Sequence, residues 1–456
     1  MKKLLSLLFL CFLIAFQLQA QKLKRKAFLG VKPQELNDSI AKANKLQVNS
    51  GLLVLEVSPN STAESLKLKP QDVVTSINQK SISSIPQLVE SFQNLRENEK
   101  VEITVQRGKK KLKLKGKTLG KPYEKPDATT DVIYDQVKFG NGYLRAIITK
   151  PKGEGKFPAI LFIPGYNCGS IDNYNVGAYG KLIKGWNEKG YAVMRIEKSG
   201  MGDSENTVPC AEVDMYTEIA SFETGYKHLK TYNFVDTTNL FMFGHSMGGV
   251  IAPVIAEKYQ PKGVMVYGTV FRPWFEFMID LIRKQNIMTG ADYVENEKLT
   301  RQMQTLFYEF FVLKKSPAEI AQNPNLTALA AKELDYKPNS NLMWGRHYKF
   351  WQQLDELNMA QSWRNTRSNV LAIWGSADWI SFEEEEHTII ADLVNKYNPG
   401  KGTYLKLANT NHGFIKMPGM IEGIKLSSPT YNEQNFNYDL VAETDKWMKS
   451  KLKAKI

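Results

Sequence analysis

Residues 239–250, NLFMFGHSMGGV, decide how the rest of the chain is read. Leu240, Phe241, Met242 and Phe243 form an uninterrupted apolar run of the length of a buried strand. Gly244, His245, Ser246, Met247, Gly248 and Gly249 follow, and then VIAPVIAEKY, whose apolar residues recur with helical period. Strand, tight turn with serine at its apex, helix: this context turns a bare G-x-S-x-G match, which is weak alone, into a specific one. The glycines have a steric reason. Strand and helix nearly touch at such a turn, so Gly244 and Gly248 keep side chains out of the crossing while the serine backbone is strained. Ser246 is the candidate nucleophile; the competing reading is a Gly-rich strand–helix connection carrying an incidental serine.

Around this stretch, apolar strands alternate with helical segments. Strands are expected at 157–165, 191–200, 263–270, 370–378 and 403–410, and helices at 178–189, 216–231, 248–259 and 383–397. Residues 131–150 read as an antiparallel hairpin turning at Gly140-Asn141-Gly142. Such alternation predicts an α/β fold, a mostly parallel sheet covered on both faces, with functional groups gathered at the carboxyl ends of its strands.

A nucleophilic serine needs a base, and the chain has five histidines. His228 and His387 read as solvated helix positions, His347 lies in an aromatic helical region, and His245 beside the serine points elsewhere. His412, in the loop NTNHGF after the last strand, is the candidate base. Asp378, just past the strand VLAIWGSAD, is the candidate orienting acid; its alternative is a helix N-cap. Glu383 to Glu386 read as first-turn acids favoured by the helix dipole.

Ser246, Asp378 and His412, in that chain order on strands and loops of this kind, resemble the α/β-hydrolase superfamily over residues 131–456. The resemblance implies an oxyanion hole from the N–H of Met247 and one from the loop Pro164-Gly165-Tyr166-Asn167, with Tyr166 first and Asn167 second. It also implies a helical cap at about residues 271–365, an aromatic-rich insertion where the alternation breaks. No metal or organic cofactor is implied.

Ahead of this unit, residues 26–118 hold no His and no Cys, so catalysis is not expected there. FLGV (28–31), SPNSTAES, KPQDVVTSIN and an amphipathic helix at 86–95 together resemble a PDZ domain of the bacterial, protease-associated type. The resemblance implies that Phe28, Leu29, Gly30 and Val31 bind a peptide C-terminal carboxylate by β-augmentation. Lys67, Gln71 and Gln79 stand where that family has glycine, so φ > 0 or rebuilt turns are expected there. A PDZ-like unit that packs and binds nothing is the alternative. Residues 119–130, with two prolines and no periodicity, read as a linker.

Formal net charge is +13, but residues 21–130 hold 21 Lys and Arg against 11 Asp and Glu. Much of the excess is RGKKKLKLKGK (107–117), where lysines alternate with Leu112 and Leu114 as on a half-buried edge strand. Aromatic interleaving is absent, so nucleic acid is not an expected partner. Residues 1–20, with a basic start, an apolar stretch from Leu4 to Phe16 and Ala20 as the last residue removed, read as a signal peptide. No other stretch has transmembrane length. Export leaves Cys168 and Cys210, an even number, expected to pair because both loops leave the same edge of the sheet; two buried free thiols are the alternative.

The expectation is an exported, periplasmic or extracellular serine hydrolase acting on a small-molecule carboxylic ester, with a peptide C-terminus as partner of the PDZ-like unit. Its rivals are a serine peptidase of the prolyl-oligopeptidase kind and a PDZ-type binding protein with an inactive hydrolase fold.

Overall fold

The computed structural model describes residues 23–452 except Gln47 and Ser427, so the expected signal peptide lies outside the described residues. The chain divides into two compact units, residues 1–124 and 125–456.

In the first unit β1 (Val31–Glu35), α1 (Asp38–Ala43), β2 (Leu52–Val57), α2 (Thr62–Ser65), β3 (Val73–Ile77), β4 (Lys80–Ser81), α3 (Ile85–Phe92), β5 (Lys100–Arg107) and β6 (Lys110–Lys117) follow in order. The antiparallel sheet runs β1-β2-β3-β5-β6, with β4 paired to β3. Leu112 and Leu114 of β6 turn onto the core of Leu52, Val54, Ile103 and Val105, and the intervening lysines stay exposed. Lys67, Gln71 and Gln79 do adopt φ of 60°, 73° and 68°. At Lys67 and Gln71 these costs, about 1 kcal/mol each, are accompanied by local bonds. Arg107 donates to Lys67 O at 2.8 Å and pairs with buried Asp72 at 2.6 and 2.7 Å, and Gln71 N–H donates to Val54 O. Part of the expected linker belongs to this unit, because buried Arg25 donates to the carbonyls of Lys121 and Pro122.

The second unit is built on an eight-stranded sheet. Its elements are β7 (Thr130–Phe139), β8 (Gly142–Pro151), β9 (Phe157–Ile163), α4 (Gly177–Glu188), β10 (Ala192–Ile196), α5 (Met215–Leu229), β11 (Val235–His245), α6 (Met247–Tyr259) and β12 (Gly263–Tyr267). After the insertion come β15 (Asn369–Gly375), α13 (Glu385–Tyr397), β16 (Gly402–Leu407), α14 (Met420–Leu426), α15 (Pro429–Gln434) and α16 (Asp439–Lys451). The order is β16-β15-β12-β11-β9-β10-β8-β7, parallel from β16 to β10 with the antiparallel hairpin at one edge.

Period two explains the continuous apolar runs, since successive side chains serve opposite faces and both faces are covered. Leu161, Met242 and Val264 enter the core under α5 and α6, while Phe162, Phe243 and Met265 enter the one under α4 and α16. Phe162 and Phe243, in register on β9 and β11, stack at 5.6 Å. Truncating such a fully buried ring costs about 3–5 kcal/mol.

The insertion holds α7 (Trp274–Met288), α8 (Tyr293–Phe307), α9 (Pro317–Ile320), α10 (Thr327–Glu333), α11 (Tyr348–Glu356) and α12 (Met359–Asn365). A feature absent from the sequence reading is the short hairpin β13 (Leu342–Met343) and β14 (Arg346–His347), turning through Trp344 and Gly345 at positive φ. Phe307, Phe310, Phe311 and Phe350 are buried, and they join the same apolar cluster as Leu161, Met242 and Val264 of the sheet rather than forming a separate core for the insertion.

Candidate active site

Ser246 sits between β11 and α6 with φ 56° and ψ −123°, a left-side conformation that costs energy for any residue but glycine. The crossing is as tight as the glycines imply. A Cβ on Gly244 would lie 2.3 Å from Gly248 O, and one on Gly248 would lie 2.0 Å from Ile163 O. Met247, next to the serine, is the first residue of α6, where the backbone N–H has no intrahelical partner. The loop after β9 passes the same hydroxyl: a Cβ on Gly165 would stand 3.7 Å from Ser246 Oγ.

Asp378 follows β15 and is fully buried. Oδ1 accepts the N–H of Ile380 and Ser381, both at 2.9 Å, and Oδ2 faces His412 Nδ1 at 2.8 Å. Burial works to raise this carboxyl, but His412 and the two amides outweigh it, and Asp378 is held below the usual carboxylate range. It is not a helix N-cap, since the next helix begins only at Glu385. With Nδ1 turned to Asp378, Nε2 is the ring nitrogen of His412 that this contact leaves unengaged. Gly268, at φ 58° just past β12, makes room for the pair: a Cβ there would lie 2.8 Å from Asp378 Oδ2 and 2.9 Å from His412 Nδ1.

Several contributors were misread or unread in the sequence. His245 is buried; Nε2 donates to His412 O at 2.8 Å, and Nδ1 therefore accepts from Tyr179 O–H at 2.6 Å. Burial, aided by His412, pushes its pKa down to about 3, so it stays neutral. Tyr267 O–H donates to Asn411 O at 2.7 Å, a second hold on the same loop. His387 is not solvated but fully buried, accepting Thr269 N–H at 3.1 Å, with its pKa lowered by burial to about 4. Glu386 is not merely a first-turn acid, because it is buried and accepts the N–H of Phe271 and Arg272 at the entry to the insertion. His228 is half-buried and meets Asp135 at 3.1 Å. His347 caps α11 through Lys349 N–H. A period-based reading cannot see the roles of His245, Tyr267, His387, Glu386 and His228, since each depends on a neighbour far along the chain.

Ser246, His412, Met247 and Tyr166 line one cavity of about 310 Å³. Its remaining wall is chiefly Val250, Val270, Trp274, Phe277, Met278, Leu281, Trp344 and Trp351, with no acidic or basic side chain among the described residues that line it apart from His412. A wider, more open hollow of about 810 Å³ lies beside Arg272, Asp355 and Glu386 and holds none of these four residues. Cys168, just beyond the Gly165–Tyr166 loop, is bonded to Cys210, with Cα atoms 5.8 Å apart.

Residues 162–396 match the family model described as serine aminopeptidase, S33. The chain belongs to that family of α/β-hydrolases. Residues 27–118 match the PDZ domain. Among curated relatives, Esterase EstD of Thermotoga maritima is 24% identical over 333 residues, 72% of this chain and 70% of that protein. Periplasmic serine endoprotease DegP of Escherichia coli is 42% identical over 64 residues, 14% of either chain. Among solved structures, Est1E from Butyrivibrio proteoclasticus with ferulic acid bound is 14% identical, with a TM-score of 0.45 over 70% of this chain and 98% of that one.

In the first unit, the segment expected to bind peptide has its carbonyls engaged on one side. Those of Phe28, Leu29 and Gly30 accept the N–H of Thr62, Ala63 and Ser58. Val31 opens β1, which among the described residues is an edge strand paired only with β2. Gly30 has φ 71°, and a Cβ there would lie 2.2 Å from Ser61 Cβ. Among the described residues, no helix is long and apolar enough to cross a membrane.

Proposed function

We propose that this chain is an exported serine hydrolase that cleaves uncharged carboxylic esters through Ser246, His412 and Asp378. The observation that carries the reading is the apolar cavity shared by Ser246 and His412, with the imidazole held on a buried carboxylate. Ser246 Oγ attacks the ester carbonyl as His412 Nε2 takes its proton. The N–H of Met247 and of Tyr166 receive the oxyanion, each such donor being worth about 3 kcal/mol in the transition state. The alcohol leaves with the proton from His412, and water then releases the acyl group by the same steps reversed. Asp378 stays ionised throughout and stabilises the imidazolium.

The family's name also raises an aminopeptidase reading. An amine-bearing substrate would bring a cation into the cavity, and the lining offers no carboxylate to receive it; an unpaired buried charge costs several kcal/mol. An uncharged acyl or aryl group meets no such penalty, and the indoles of Trp274, Trp344 and Trp351 suit it.

Turnover of p-nitrophenyl esters of graded chain length, beside amino-acid p-nitroanilides, tests both readings. Esters should be cleaved far faster, and Ser246→Ala should abolish both turnover and fluorophosphonate labelling. Anilides cleaved as fast as esters, or an undiminished Ser246→Ala, would sink the proposal. For the PDZ unit we propose capture of a peptide C-terminal carboxylate at Phe28, Leu29, Gly30 and Val31. Equal binding of a peptide acid and its amide would count against that.

A further inference from the structure

Three charged side chains lie buried behind the loop that carries Gly165 and Tyr166. Lys198 follows β10, Glu218 belongs to α5, and Arg346 comes from β14 in the insertion. Each has no more than 3% of its side chain exposed. The two oxygens of Glu218 are divided between the cations: Oε1 faces Lys198 Nζ at 2.8 Å, and Oε2 accepts from Arg346. Each cation then spends a further donor on the loop. Lys198 Nζ donates to Gly165 O at 2.6 Å, and Arg346 Nη1 donates to Tyr166 O at 2.6 Å. Arg346 is also packed 4.0 Å over the Phe350 ring, which fixes the plane of its fork.

The consequence follows from peptide geometry. A trans peptide unit is planar, with C=O and the next N–H pointing in opposite directions. Anchoring Gly165 O turns Tyr166 N–H away from the anchor, and anchoring Tyr166 O turns Asn167 N–H away in the same manner. The loop runs beside Ser246 Oγ, and Tyr166 lines the cavity that the trio does not reach.

We infer that Lys198, Glu218 and Arg346 are positioning residues that aim the oxyanion amides of the Gly165–Asn167 loop by holding its carbonyls from behind. This rests on the ester-hydrolase reading above. The trio touches neither substrate nor nucleophile; it acts through the backbone. It also carries one surplus positive charge in a site shielded from water, where such a charge favours a nearby oxyanion. Without the anchors, the loop peptides are free to rotate, and preorganisation is lost in the transition state more than in the bound substrate.

The test uses the full-length protein at pH 7, below the pKa of about 8 to which burial pushes the Lys198 ammonium. Lys198→Met and Arg346→Gln are compared with wild type for kcat and KM on a p-nitrophenyl ester and for inhibition by an alkyl trifluoromethyl ketone. That ketone adds Ser246 Oγ to its carbonyl carbon and places an oxyanion in the hole. Expected is a roughly 10–100-fold fall in kcat, a parallel rise in Ki, and KM within about twofold of wild type. Where Arg346→Gln does not fold, Arg346→Lys keeps the charge beside Glu218 and removes the fork, and should show the same split to a smaller degree. Folded variants with kcat and Ki unchanged, or with KM rising as much as Ki, would overturn the inference. Failure of wild type to cleave esters or bind the ketone would instead overturn the ester-hydrolase reading.

Discussion

His245 and His412 are joined by one hydrogen bond, from Nε2 of the first to the backbone carbonyl of the second at 2.8 Å. The residue just before the proposed nucleophile therefore holds the main chain of the proposed base. His245→Leu removes that donor and should lower kcat about tenfold or more while leaving KM nearly unchanged, because the imidazole of His412 loses its placement rather than its chemistry. His245→Gln can still reach the carbonyl and should recover much of the rate. Equal damage from Leu and Gln would contradict the role.

Gly268 gives a second test of the same pair. Alanine there would press a methyl into Asp378 Oδ2 and His412 Nδ1 at under 3 Å, in a backbone region that costs an L-residue about 1 kcal/mol. Gly268→Ala should therefore lose activity by about 100-fold or more with only a modest fall in melting temperature. Steady-state kinetics beside a thermal melt separates the two effects.

The Cys168–Cys210 bond closes a loop between residues 42 apart. Loop-closure entropy puts its contribution at about 4 kcal/mol, an upper figure because native strain subtracts from it. Replacing both cysteines with alanine should lower the melting temperature by several degrees, and mild reduction should slow turnover before the unit unfolds, since Cys168 borders the loop that carries Tyr166. Non-reducing peptide mapping checks the bond directly.

Glu197 lies inside the loops joined by that disulfide, fully buried, accepting from Ser170 O–H and from Ile171 N–H at 3.1 Å. Burial outweighs those bonds and raises its pKa to about 8. The native state thus keeps a proton that the unfolded chain has released, and the stability advantage at low pH is lost as pH rises from about 4.5 towards 8. Glu197→Gln does not titrate. Its melting temperature should rise relative to wild type as pH goes from 5 to 8, and a constant difference across that range would refute the assignment.

Legibility in the sequence followed how local the cause was. The strand–turn–helix at Ser246 was readable because a run of four apolar residues and two steric glycines are neighbours in the chain. The sheet was readable because period two and period 3.6 are local patterns. His387, Glu386 and His245 were not, since their burial comes from Thr269, Phe271 and His412, more than a hundred residues distant. The β13–β14 hairpin was missed because two-residue strands carry no period. Lys198, Glu218 and Arg346 carry no local signal in the sequence, and only the folded chain brings their three elements together.

Arg346 gives the insertion an unusual fastening. It enters from the roof of the cavity and ends buried on a carboxylate of α5 and a carbonyl of the floor. Swinging the roof away would strip Glu218 of one partner in a dry environment, at a cost of about 3–5 kcal/mol for a broken buried pair. A roof hinged at that energy is raised in fewer than about one molecule in a hundred, so the size and apolar lining that a guest meets are those of the chamber with its roof down. Selection then works as a sieve of fixed mesh, by girth and greasiness. Oil–water interfaces should confer no burst of activity, unlike the behaviour of a lidded lipase.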